Sequence, residues 1–152
     1  MSKTVPLSSE VGILGAIDPD AYAAGTVTTG WISAAQFQRF MAVVMAGTLG
    51  SSATLDAKIE QASDSSGTGA KDLTGAAITQ LTQAGSDSDK QAVIAFGSDD
   101  LDLANGFTHF RLSMTVATAT SDCGGLVIGS DVRYGPAVDQ DAATVDEIVV
   151  VA

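Results

Sequence analysis

The stretch Phe107-Thr-His-Phe-Arg-Leu-Ser-Met-Thr-Val-Ala-Thr-Ala-Thr120 alternates strictly through its middle: Phe110, Leu112, Met114 and Val116 are apolar, and His109, Arg111, Ser113 and Thr115 are polar. A period of two puts one set of side chains on each face, so the segment predicts a strand with one dry side and one wet side. Residues Ala53 to Ala62 repeat the pattern. There Leu55, Ala57 and Ile59 face one way, and Thr54, Asp56, Lys58 and Glu60 the other.

Working outward, Thr26 to Ile32, Ile78 to Leu81, Gln91 to Phe96 and Leu126 to Tyr134 also have β character. Between them lie Ser63-Asp-Ser-Ser-Gly-Thr-Gly69, Gly85-Ser-Asp-Ser-Asp89 and Ser121-Asp-Cys-Gly-Gly125. These segments are rich in residues that tolerate positive φ or bond their own backbone, and they predict turns. Phe37, Phe40, Met41, Val44 and Met45 suit a helical stripe, with Ser33 as cap and Gly47 as stop. They suit a buried strand as well, which Val43 and Val44 favour, and the choice for residues 36–46 stays open. Ser98 to Gly106 predicts either a helical turn or a short strand closed by Asn-Gly.

The expectation is an all-β, single-domain sandwich, jelly-roll-like, of about seven to nine strands. Leu55, Ile59, Phe96, Phe110, Leu112, Met114, Val116 and Val127 are expected to build its core. Residues 1–24 carry Pro6, Pro19 and several small breakers among Val11, Ile13, Leu14 and Ile17, and are expected to form an extended arm. Residues 25–136 form the sandwich domain. Residues 137–152 form a second arm or an added strand, ending in the β-branched run Ile148-Val149-Val150-Val151. An exposed apolar strand invites pairing, so Val11, Ile13, Leu14, Ile17, Ile148, Val149, Val150 and Val151 are candidate interface residues.

Composition narrows the function. The 152 residues suit one domain that needs no metal or disulfide to be stable, and the single Cys123 says nothing about an oxidising compartment. Eighteen acidic residues against seven basic ones give a net charge of −11, which repels phosphate backbones and anionic lipid. Direct binding of nucleic acid or membrane is therefore not expected. Met1 to Pro6 has one Lys and no apolar stretch with a cleavage site, so no secretory signal is expected. The apolar run Phe40 to Gly47 falls far short of the roughly 20 residues that cross a bilayer.

No motif supports catalysis. His109 is the only histidine and has no local acid and nucleophile to work with. Cys123 lacks a positive neighbour or a second cysteine, and is expected to be a small turn residue. Gly67-Thr-Gly69 with Lys71 lacks the phosphate-loop spacing. Asp87 with Asp89, and Asp139 with Asp141, lack the Gly and distal Glu of a calcium loop. Trp31 in a chain with 5% aromatics is expected to fill a core or an interface, since a sugar platform usually needs more rings. No cofactor, no metal and no enzymatic activity are expected.

The segments Ala24-Gly-Thr-Val-Thr-Thr-Gly-Trp-Ile32, Thr54-Leu-Asp-Ala-Lys-Ile-Glu-Gln-Ala62 with Gly67-Thr-Gly-Ala-Lys-Asp-Leu-Thr74, and Phe107-Thr-His-Phe-Arg-Leu112 to Asp131-Val-Arg-Tyr-Gly-Pro136 resemble a family of small proteins encoded among the head genes of tailed phages and prophages of α-proteobacteria. The likeness spans about residues 20–137, and the flanks 1–19 and 138–152 depart from it. It implies a virion protein made in the host bacterial cytoplasm, foremost a capsid decoration or cement protein on the phage head. The implied partners are the major capsid protein and copies of itself, as a trimer or hexamer. A head–tail connector, a tail component and a carbohydrate-binding module for host attachment are the alternatives.

Overall fold

The computed structural model describes residues 5–137, 141 and 144–151. Ten strands follow in order: β1 (Gly12–Tyr22), β2 (Gly25–Thr28), β3 (Ile32–Ser33), β4 (Phe37–Ala46), β5 (Thr54–Ala62), β6 (Lys71–Ala77), β7 (Leu81–Thr82), β8 (Gln91–Gly97), β9 (His109–Ala117) and β10 (Ser121–Val132). The only helical pieces among the described residues are three short 3₁₀ turns. The count exceeds the expected seven to nine because β3 and β7 are two-residue pieces added to β9 and β5.

The strands form two packed sheets, ordered β1-β10-β4-β8 and β2-β9-β5-β6, with every pair antiparallel. Setting β3 and β7 aside leaves eight strands. The first pairs with the eighth, the second with the seventh, the third with the sixth and the fourth with the fifth. Those are the pairings of one long hairpin rolled up on itself, and β10–β4 and β9–β5 are the contacts that rolling adds. This is the jelly roll.

The alternating strands sit as expected. Phe110, Leu112, Met114 and Val116 on β9, and Leu55, Ala57 and Ile59 on β5, are buried between the sheets, with Phe96 and Val127 from the opposite side. Removing one such large side chain from water contributes about 1.5–3 kcal/mol. Residues 37–46 are a strand. Phe40, Ala42, Val44 and Ala46 point into the core, and Met41 and Met45 point out.

Several expectations need correction. Residues 12–22 are no arm, because β1 pairs with β10 along its length and buries Ile17. Its Pro19 and its glycines misled because β1 is an edge strand. Register shifts at Ile13/Gly15 and Ile17/Asp20 absorb the irregularity, and Pro19 falls within the second, where no ladder N–H is required. Ser121 to Gly125 is the start of β10 and not a turn. Its glycines answer a need for space: a Cβ on Gly125 would stand 2.8 Å from Leu112 Cδ2, and one on Gly124 3.0 Å from Pro19 Cα.

Ile78 to Leu81 is mostly the connection between β6 and β7. The Thr26 to Ile32 run breaks into β2 and β3 around buried Thr29, whose N–H donates to the Leu112 carbonyl and whose hydroxyl accepts the Leu112 N–H at 3.0 Å. Residues 144–151 join no strand, so the added-strand form of the second arm is not adopted.

Candidate functional site

The two outer faces of the sandwich differ in chemistry. On the β2-β9-β5-β6 sheet the outward side chains are polar and paired. Lys58 Nζ lies 2.7 Å from Asp72, Arg111 Nε 2.6 Å from Glu60, and the hydroxyls of Thr26 and Thr115 lie 2.8 Å apart. Arg111 also lies over Trp31, 4.4 Å from the ring centroid. The remaining aromatic contact at this end is Lys71 over Phe107 at 4.1 Å, with Lys71 also 2.6 Å from Asp102. The Lys71 hydrogen bond, then that of Asn105, hold the Asp102 carboxyl below its usual range.

On the β1-β10-β4-β8 sheet the outward side chains are apolar in consecutive rows. One row runs Ala16, Leu126, Val43, Val93. The next runs Ile13, Ile128, Met41, Ala95. Met45 continues the patch between Gly124 and Gln91. No charged residue interrupts these rows. Beyond them the row Ser130, Arg39, Gly97 closes one end, where Arg39 pairs with Asp131 at 2.6 Å. Met41, Met45 and Val93 are 38%, 52% and 55% exposed. An open groove of about 690 Å³ lies at the other end, lined by Ala16, Pro19, Met45, Gly124 and Leu126, with Asp20 and Asp122 at its rim.

The candidate interface residues separate on this framework. Ile13 belongs to the apolar face, and half-buried Val11 precedes it. Ile17 is a core residue, and Leu14 packs against the core, so neither is offered to a partner. Both follow from β1 being a strand. Ile148, Val149, Val150 and Val151 are exposed, Val151 at 93%. The outward residues of β4, β8 and β10 escaped the sequence reading. In those strands apolar side chains occupy both sides, so periodicity could not tell the outer set from the core.

His109 is half-buried and its Nδ1 lies 2.9 Å from Thr108 Oγ1. Cys123 is buried in β10 rather than set in a turn, and burial, then the Asp122 charge, push its thiol up to about 11. Gly67 and Gly69 lie in a turn that leads into a strand, where no helix N-terminus is available to phosphate. Trp31 lies under Arg111, and Gly67 approaches it so closely that a Cβ there would fall 2.5 Å from the indole Nε1. Asp87 accepts the Thr82 N–H at 2.9 Å within its turn. Asp139 lies outside the described residues. Among the described residues no group of three or more His, Cys, Asp or Glu side chains could hold a metal.

No family model and no curated protein matches the sequence. Solved structures do. The chain is similar to a chain of the cowpea mosaic virus empty particle at 9% identity and TM-score 0.47, covering 90% of this chain and 87% of that one. It is similar to a chain of infectious bursal disease virus, Gx strain, at 14% identity and TM-score 0.44, over 84% of this chain and 34% of the viral one. A carbohydrate-binding module (CBM4) matches at 17% identity and TM-score 0.34, over 72% and 60%. These are likenesses of shape alone, and the jelly-roll assignment rests on the strand pairing itself.

Proposed function

We propose that this chain is a structural protein of a phage virion, a capsid decoration or cement protein that binds the outer head shell and works by contact area rather than by chemistry. The observation that carries the reading is the contrast between its two faces. One is a solvated, ion-paired surface, and the other carries consecutive apolar rows, uninterrupted by charge and bounded by Arg39 and Asp131 at one end, that stay wet in the single chain. A contiguous apolar patch rimmed by polar residues marks a protein-binding surface. The partners are copies of itself and the major capsid protein. The resemblance of residues 20–137 to phage head-gene products supports the same reading.

The face can be tested without disturbing the core. Met41→Glu combined with Val93→Glu places charge on two exposed outward positions of β4 and β8. The variant is expected to keep the circular dichroism and melting temperature of the parent, yet to be lost from purified particles. Incorporation at the parental level by the folded variant contradicts the assignment.

A further inference from the structure

We propose that the apolar face of the β1-β10-β4-β8 sheet is covered by residues 145–151 of a second copy of this chain. The idea deepens the structural-protein reading by naming what lies on that face. Two exposed apolar surfaces occur in one molecule: the rows around Val43, Val93 and Leu126, and the run Ile148-Val149-Val150-Val151. They lie close together along the chain's path, because the Asp141 N–H donates to the Ile13 carbonyl at 2.8 Å, on the edge strand of that very sheet. Ten residues from Asp141 to Val151 reach at most about 35 Å. Four strands at about 4.8 Å spacing are only some 14 Å from first to last. Distance therefore does not keep the segment off the face.

Direction does. Asp141 closes a turn, accepting the N–H groups of Thr144 and Val145 at its carbonyl and the Thr144 hydroxyl at its carboxylate. Beyond that turn the four β-branched side chains stay exposed, from 48% at Ile148 to 93% at Val151. Each copy thus presents one donor segment and one acceptor face, which is what reciprocal exchange in a dimer or head-to-tail closure of a ring requires.

Area points to the same occupant. The face measures roughly 19 by 17 Å, about 300 Å², from strand spacing and rise. That is well under the roughly 800 Å² per partner of a stable interface. Flat stacking of two such faces is too small, and the segment supplies the further apolar area. Extended residues can add backbone hydrogen bonds at a sheet edge while alternate side chains meet the apolar rows. The acidic pair Asp146-Glu147 precedes the apolar run, and Lys90, beside the Gln91 end of the face, is in none of the ion pairs among the described residues.

The test mixes two populations of full-length protein, one carrying Val150→Cys and the other Val93→Cys, Met45→Cys or Ala95→Cys, under mild oxidation. Native Cys123 is buried and serves as the unreactive background. The expected result is a disulfide-linked pair of one chain from each population for at least one face position, and loss of the oligomer on deleting residues 145–152 while circular dichroism is unchanged. No mixed disulfide at any of the three positions overturns the proposal. So does a disulfide that forms only within a chain carrying both substitutions, or an oligomer that survives the deletion. These readings use purified protein alone, so their failure is distinct from absence of the chain from virions.

Discussion

Phe40 and Phe110 come from opposite sheets and meet with ring centroids 4.6 Å apart at 56°. Phe96 completes the cluster, 5.3 Å from Phe40 and edge-on to Phe110 at 5.0 Å. The two sheets are thus clasped by three rings at a place where β4, β8 and β9 converge. Phe110→Ala removes the fully buried member, and loss of a phenyl group from a core that cannot collapse around it costs about 3–5 kcal/mol. Denaturant unfolding followed by Trp31 fluorescence should show the midpoint falling accordingly. A cost below about 1 kcal/mol contradicts the packing described.

The Ser63–Gly69 turn is pinned by Trp31. Gly67 has φ +83°, and a Cβ there would lie 2.5 Å from the indole Nε1, on a ring already covered by Arg111. Gly75 has a similar φ of +82° but faces open space. Gly75→Ala is therefore expected to cost only the backbone penalty, about 1 kcal/mol. Gly67→Ala should cost more and shift Trp31 emission to the red. Equal costs with unchanged emission count against the clamp.

These positions also mark what could be seen in the sequence. The strands β5 and β9 were legible because each has one wet face, so apolar and polar residues alternate. The turn 63–69 was legible from its composition. Strand β1 and the first half of β10 were not, because Pro19, Gly124 and Gly125 look like breakers until the close approach of two strands gives the glycines a reason. The apolar outer face was hidden for the opposite cause. Met41, Val43 and Met45 alternate with core residues that are equally apolar, so the pattern loses its period and passes for a helix stripe.

Cys123 provides a pH test. Its thiol is raised to about 11 in the folded chain by burial first and Asp122 second. The folded state therefore holds the proton after the unfolded chain has released it. The stabilising contribution is complete below the unfolded thiol's pKa and is lost as pH rises through about 11. Native protein should resist thiol reagents at neutral pH and react fully once denatured, and Cys123→Ser should flatten the alkaline fall in stability. Rapid labelling of native protein at pH 7 contradicts this burial.

The virion assignment is tested most directly by absolute mass-spectrometric quantitation of this chain against the major capsid protein in purified particles. A decoration protein occupies repeated sites over a symmetric shell, so on the order of hundreds of copies per particle are expected. About a dozen copies would place it at a head–tail connector instead, and its absence from the particle would contradict a virion role altogether.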